Sequence, residues 1–208
     1  MQCRCENVRH NSSTHKIIHF TRIDNDKVAF FIHTMLTEYP KVVVFDLDYT
    51  LWPFWCDTHV YMPIKPLNKH EAIDRSGTKL SLFPDVGSIV KELHQNGVTL
   101  VAASRTATPR VAQELLSIFH VDDQPIIKYF SSLQWGQGSK IHHIRRAAKQ
   151  LNLEAELEEG EFILFDDEGR NRDVEKINCK FEYLINERLD REDFERGIRA
   201  WASWKKEL

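Results

Sequence analysis

Apolar residues in this chain fall into short unbroken runs, separated by stretches in which they recur every three or four positions. That pattern predicts strands alternating with helices. The unbroken runs lie at 42–45, 98–103, 126–133, 162–165 and 181–185, and several are β-branched or aromatic at consecutive positions. Such runs suit parallel strands covered on both faces. Between them, Val86, Ile89, Val90 and Leu93 make a helical stripe bounded by Pro84 and Gly97. Thr108-Pro109 opens a second stripe through Val111, Ala112, Leu115, Leu116 and Phe119, and Gly138-Ser139-Lys140 a third through Ile141, Ile144, Ala147, Ala148 and Leu151. A short helix is expected near 173–177. Asp190 is placed to cap a last one carrying Phe194, Ile198 and Trp201. Strand-helix alternation implies right-handed crossovers. The expected fold is α/β: a three-layer, Rossmann-like parallel sheet with helices on both faces.

The remaining stretches lack this rhythm. Residues 1–26 are polar and non-periodic and read as a loose tail, and a short amphipathic helix is expected over 28–36, ahead of Pro40. The division is therefore an N-terminal extension at 1–40 and one domain at 41–208. Residues 53–82 carry several prolines and no long helical pattern, so an irregular flap or hairpin is expected there, a minimal cap. Acidic 154–161 reads as a solvated loop.

Composition narrows the classes. With 208 residues, 28 Lys+Arg against 31 Asp+Glu and a net charge of −3, there is no basic excess of the kind nucleic-acid binding needs. No apolar run approaches the roughly 20 residues that span a bilayer, and no cleavable leader is read at the start. A cytoplasmic monomer is expected, with the nucleus as the alternative; the basic, serine-containing start faintly resembles an organelle transit peptide. Cys3, Cys5, Cys56 and Cys179 are too scattered for a disulfide framework. Cys3, Cys5, His10 and His15 could be drawn as a zinc site, but short spacings leave little loop between the pairs. Cys3 and Arg9 fit the bare spacing of a cysteine phosphatase, without the glycines that let backbone N–H groups curl round a phosphate.

Polar groups recur at corresponding places. Asp46 and Asp48, Ser104, and Asp166-Asp167 each follow an apolar run, and Lys140 starts a helix. In open α/β sheets such positions face one crevice beyond the carboxyl ends of the strands. Individually each has a plain structural reading: an Asp-x-Asp is common, a serine after a strand caps helices, and Gly-Ser-Lys is ordinary loop chemistry. As a set they point to a phosphoryl site. His59 and His70 lie in the flap, within possible reach of a substrate, but like His142 and His143 are expected at the surface. Gly136-x-Gly138-Ser139-Lys140 has the wrong order for a nucleotide-binding phosphate loop, and the terminal Lys205-Lys206-Glu207-Leu208 carries no retrieval meaning without a leader.

The string Phe45-Asp-Leu-Asp-Tyr-Thr-Leu-Trp-Pro-Phe-Trp55, followed by Ala103-Ser-Arg105, Gly138-Ser-Lys140, Phe165-Asp-Asp-Glu168 and Arg170-Asn171, resembles the haloacid dehalogenase superfamily. Within it the string looks like the magnesium-dependent phosphatase subfamily, over about 41–201. The resemblance implies that Asp46 attacks phosphorus to give an aspartyl phosphate. Asp48 would protonate the leaving oxygen and then activate water. Leu47, Ser104, Arg105 and Lys140 would bind the substrate's phosphate group. Each like-charge contact at 4 Å costs about 4 kcal/mol at an effective dielectric near 20, so an anionic nucleophile needs compensation. Mg2+ suits the Asp46 carboxylate, the Asp48 carbonyl and the Asp166-Asp167 pair, with Asp167 as the direct ligand and Asp166 supporting it.

A short flap leaves the cleft open. That permits phosphotyrosine or an extended phosphorylated sugar or glycated amine, and Trp52, Phe54 and Trp55 are available as an aromatic wall or as packing for the flap. Two other classes compete: a phosphate-binding regulatory module without turnover, and a glycosyltransferase holding a metal and nucleotide sugar through Asp46-x-Asp48. The first leaves the second carboxylate unexplained. The second leaves Ser104 and Lys140 without a role.

Overall fold

The computed structural model describes residues 38–208. The expected tail, the 28–36 helix, the drawn zinc site and the Cys3/Arg9 pair lie outside the described residues. Five parallel strands form the central sheet: β1 (Val42–Phe45), β2 (Thr99–Ser104), β3 (Phe130–Trp135), β4 (Phe162–Asp166) and β5 (Cys179–Tyr183), in the order β5-β4-β1-β2-β3. The strand order reverses at β1, so the crevice opens beyond its carboxyl end.

Among the described residues five helices cover the sheet: α1 (Val86–Gln95), α2 (Pro109–Ile118), α3 (Lys140–Leu151), α4 (Glu154–Glu158) and α5 (Arg191–Lys205). The period-2 geometry of β1 divides the core. Val43 and Phe45 pack with Ile89 of α1, Leu115 of α2 and Trp201 of α5, whereas Val42 and Val44 pack with Ile144 and Ala147 of α3. All four β1 side chains are wholly buried, each contributing about 1.5–3 kcal/mol for an apolar side chain of this size. Boundary signals act as expected at two helices. The Ser139 side chain accepts the Ile141 N–H at 3.1 Å, and the Asp190 carboxylate accepts the Asp193 N–H at 2.9 Å.

Several expectations are corrected. Residues Ile126–Tyr129 form a 3-10 helix, and the strand begins only at Phe130. The fifth strand lies two residues earlier than its apolar run suggests, because Cys179 pairs with Phe162 of β4. The helix near 173–177 is a 3-10 helix over Gly169–Ile177. The acidic stretch includes the short α4, which buries Leu157 while Glu154 and Glu158 are exposed. In the flap, Lys65–Pro66, Glu71–Ile73 and Lys79–Ser81 make a three-stranded antiparallel sheet, more regular than its prolines imply. Its turn closes on Asp74, whose carboxylate accepts N–H groups from Tyr61, Ser76 and Thr78 at 2.8–3.0 Å. Backbone bonds from Phe83 to Leu51 and from His120 to Lys69 tie the flap to the domain. No helix among the described residues is long and apolar enough to cross a membrane.

Candidate active site

The carboxyl ends of β1, β2 and β4 bring Asp46, Ser104 and Asp166 together, and the start of α3 delivers Lys140 between them. Asp46 stands immediately after β1, its N–H donating to Phe165 O at 3.0 Å. The Lys140 ammonium is 1% exposed and donates to Asp46 Oδ1 and to the Ala103 carbonyl, with Asp166 Oδ2 at 3.1 Å. A buried ammonium is costly unless paired and hydrogen-bonded. Here burial opposes its charge, yet Asp46 and Asp166 outweigh that effect and raise the Lys140 pKa.

The two carboxylates of the acidic pair differ. Asp166 is wholly buried and saturated: the Glu168 N–H reaches Oδ1 at 2.8 Å, and the Asn171 amide spans both oxygens at 3.0 and 2.9 Å. Asp167 lines the cleft instead, and burial together with the Asp166 charge pushes its carboxyl up to about 7. Burial, reinforced by Asp166 and Asp48 and opposed by Lys140, also raises Asp46. Asp46, Asp166 and Asp167 each offer an oxygen within 4.8 Å of the others. Three hard oxygen donors, carrying more negative charge than Lys140 can balance, fit a divalent cation of the oxygen-preferring kind.

Asp48 lines the same cleft. Its Oδ1 accepts the Trp52 indole N–H at 2.8 Å and the Cys56 N–H at 3.2 Å, and burial raises its pKa against the Cys56 thiol and these two bonds. Tyr49 adopts left-handed backbone, φ 53°, in the turn that follows. The cleft encloses about 200 Å3 and is lined by Asp46, Asp48, Ser104, Arg105 and Asp167 with Trp55, Asp57, Thr106, Glu168 and Arg170. A larger groove of about 560 Å3, between the flap and α1, contains none of the expected site residues.

Nearly all the expected residues therefore converge. Ser104 is buried at the cleft floor, where its oxygen accepts the Thr106 N–H at 3.1 Å; it caps a turn and still lines the cleft, while the helix cap belongs to Thr108. Arg105 leans toward Asn171 Oδ1 at 3.5 Å and Glu168 Oε2 at 3.9 Å. The Leu47 side chain is wholly buried in the core, so only its backbone is available to a phosphate.

The structure decides between the two readings of the aromatics and corrects the placing of two histidines. Trp52 and Phe54 are buried and stacked on each other, centroids 5.6 Å apart and planes 8° apart, so they pack the flap; of the three aromatic residues only Trp55, 49% exposed, lines the cleft. His59 is half-buried and accepts the Trp55 N–H through Nδ1 at 3.3 Å. His143 is not at the surface: it is 1% exposed with an unpartnered Nδ1, and burial followed by the Lys140 charge pushes it down to about 4. Sequence reasoning assigned no role to Asn171, Glu168 or Asp57. Asn171 was visible only as part of the Arg170-Asn171 pair, and Asp57 carried no signal.

A family described as acid phosphatase matches residues 38–204. A putative magnesium-dependent phosphatase of Saccharomyces cerevisiae is 43% identical over 72% of this chain and 89% of its own length. The human magnesium-dependent phosphatase 1 is 36% identical over 78% and 88%. A haloacid-dehalogenase-superfamily hydrolase from Ehrlichia chaffeensis, 15% identical, shares the fold with a TM-score of 0.52 over 80% of this chain and 98% of that one. A Schizosaccharomyces pombe relative, 41% identical over 69% of this chain and 85% of its own length, is named a HAD-like hydrolase superfamily protein, and the chain belongs to the acid phosphatase family within the haloacid-dehalogenase-like hydrolases.

Proposed function

We propose that the protein is a Mg2+-dependent phosphomonoesterase that works through an aspartyl phosphate on Asp46, with an open cleft that takes aryl phosphates such as phosphotyrosine or extended phosphorylated sugars. The observation that carries this reading is the second carboxylate. Asp48 shares the cleft with Asp46, one oxygen engaged by Trp52 and Cys56. Binding a phosphate would not require it.

Asp46, Asp167 and the Asp48 carbonyl would hold the cation, and Asp166 would support it, because its oxygens are already committed to Asn171, Glu168 and Lys140. When bound, Mg2+ offsets the negative charge shared by the carboxylates and the phosphate. Lys140 fixes one Asp46 oxygen and leaves the other for in-line attack on phosphorus. Ser104, Arg105 and backbone N–H groups near Leu47 would hold the transferred group. As the bond from phosphorus to the leaving oxygen breaks, Asp48 gives that oxygen its proton; it then takes one from the water that cleaves the aspartyl phosphate. The half-exposed Trp55 ring, at the mouth beside Tyr49 and His59, offers a flat face to an aromatic leaving group.

Release of inorganic phosphate from 4-nitrophenyl phosphate and from phosphotyrosine tests this, with Mg2+ or chelator, for the wild type and Asp46→Asn. Turnover should need the metal, and Asp46→Asn should lower it by at least about 1,000-fold while the fold survives. Chelator-resistant turnover, or an active Asp46→Asn, would sink the assignment. A folded but inactive wild type would favour the phosphate-binding module.

A further inference from the structure

Asp48 can act as an acid toward the leaving oxygen only if one of its oxygens is presented to the cleft and kept there. A fixed backbone does not secure this, because a carboxylate rotates readily about its last torsion. Two donors converge on the same oxygen. The Trp52 indole N–H lies 2.8 Å from Oδ1 and the Cys56 N–H 3.2 Å from it, with the Cys56 thiol also beside the carboxylate, while among the described residues no N–H donor reaches Oδ2. The Asp48 side chain is thereby split into a held oxygen and a presented one.

The indole is itself immobilised more firmly than flap packing requires. Trp52 is wholly buried, lies flat on Phe54, and accepts the Tyr49 N–H through its carbonyl at 2.9 Å. Neighbouring residues pin the same turn to two other elements: Leu51 O accepts the Phe83 N–H at 2.9 Å, and Thr50 O accepts the Leu189 N–H at 3.0 Å. An indole N–H is a donor only, so at this position it cannot reverse its role and compete for the proton on the carboxyl group.

We propose that Trp52 is a positioning residue for the acid step: its N–H, together with that of Cys56, holds Asp48 Oδ1 so that Oδ2 faces the leaving oxygen. The inference rests on the aspartyl-phosphate reading above. In the step it serves, the bond between phosphorus and an Asp46 oxygen forms, the bond between phosphorus and the leaving oxygen breaks, and the Oδ2 proton passes to that oxygen. Loss of the held geometry harms substrates whose leaving oxygen is strongly basic and largely spares those whose leaving group departs unaided.

Phenyl phosphate and 4-nitrophenyl phosphate have nearly the same shape and differ in leaving-group basicity, so the ratio of their kcat/KM values reads this step apart from general damage to the fold. Asp48→Asn should lower kcat/KM for phenyl phosphate about 100-fold and for the nitro compound far less. Trp52→Phe, which keeps a ring against Phe54 but deletes the N–H, should lower the phenyl value about 10-fold and the nitrophenyl value no more than about 2-fold. Should Trp52→Phe fail to fold, 3-benzothienylalanine at position 52 decides, since it replaces N–H by sulfur in a side chain of nearly the same shape. An equal loss on both substrates, or none, in a folded position-52 variant overturns the Trp52 assignment. An equal loss on both in Asp48→Asn overturns the acid role itself, and with it the basis of the inference.

Discussion

Lys140 has three hydrogens on Nζ and three acceptors around it, Asp46, Asp166 and the Ala103 carbonyl. Two of those are buried carboxylates with no second side-chain cation bonded to them among the described residues. Lys140→Met should therefore lower the unfolding free energy by about 3–5 kcal/mol in metal-free buffer, read from the urea midpoint, and added Mg2+ should return part of the loss. Asn171 acts one layer further out. Its amide orients both Asp166 oxygens and its carbonyl oxygen meets Arg105, so Asn171→Ala should weaken Mg2+ affinity about 10-fold, measured as the metal concentration giving half-maximal turnover. Charged residues next to strands were legible in the sequence because strand ends are where an α/β sheet exposes its crevice. Asn171 was not, since a neutral amide inside a 3-10 helix has no pattern to mark it, and His143 was misread because its neighbour His142 shares its chemistry but not its face of α3.

At the scale of elements, unbroken apolar runs located all five strands of the sheet, and the boundary residues Pro109, Ser139 and Asp190 located three helix starts. Errors gathered where periodicity is ambiguous. In 126–133 an apolar run covers both a 3-10 turn and a strand, and only the parallel pairing with β2 separates them. The flap sheet was hidden because its strands are two or three residues long and are fixed by Asp74 and by contacts with the domain. A helix-to-strand contact invisible in the sequence is that of Gly197. A Cβ there would stand 2.5 Å from Phe165 Cε1 and 2.9 Å from Glu182 Cγ, so the α5 backbone lies directly on β4 and β5. Gly197→Ala should gain about 1 kcal/mol in helix propensity but lose more to overpacking. A net destabilisation of about 1–2 kcal/mol is expected in thermal or urea unfolding.

For the molecule as a whole, His143 links stability to pH. Its folded pKa, about 4, lies below the ordinary value of 6.5, with burial the main cause and Lys140 the next. Between those values the unfolded chain binds more protons than the folded one. The His143 contribution is therefore complete above pH 6.5 and is lost as the pH falls toward 4, by roughly 1–3 kcal/mol. Asp167, raised to about 7, acts in the opposite sense without metal, favouring the fold as the pH falls. The difference between wild type and His143→Gln in unfolding free energy, followed from pH 7.5 to 4.5, isolates the histidine; a difference that does not vary with pH would refute the linkage. The strand order has a further consequence. The exposed turn at Asp122 and Asp123 divides the chain so that Asp46, Asp48, Ser104 and Arg105 lie before it and Lys140, Asp166 and Asp167 after it. The pairing of β1 with β4, Val42 to Phe162 through Phe45 to Phe165, joins the two portions at the centre of the sheet. Cut at that turn, the protein becomes a two-fragment reporter: neither fragment holds both Asp46 and Lys140, and phosphate release would register their reassociation.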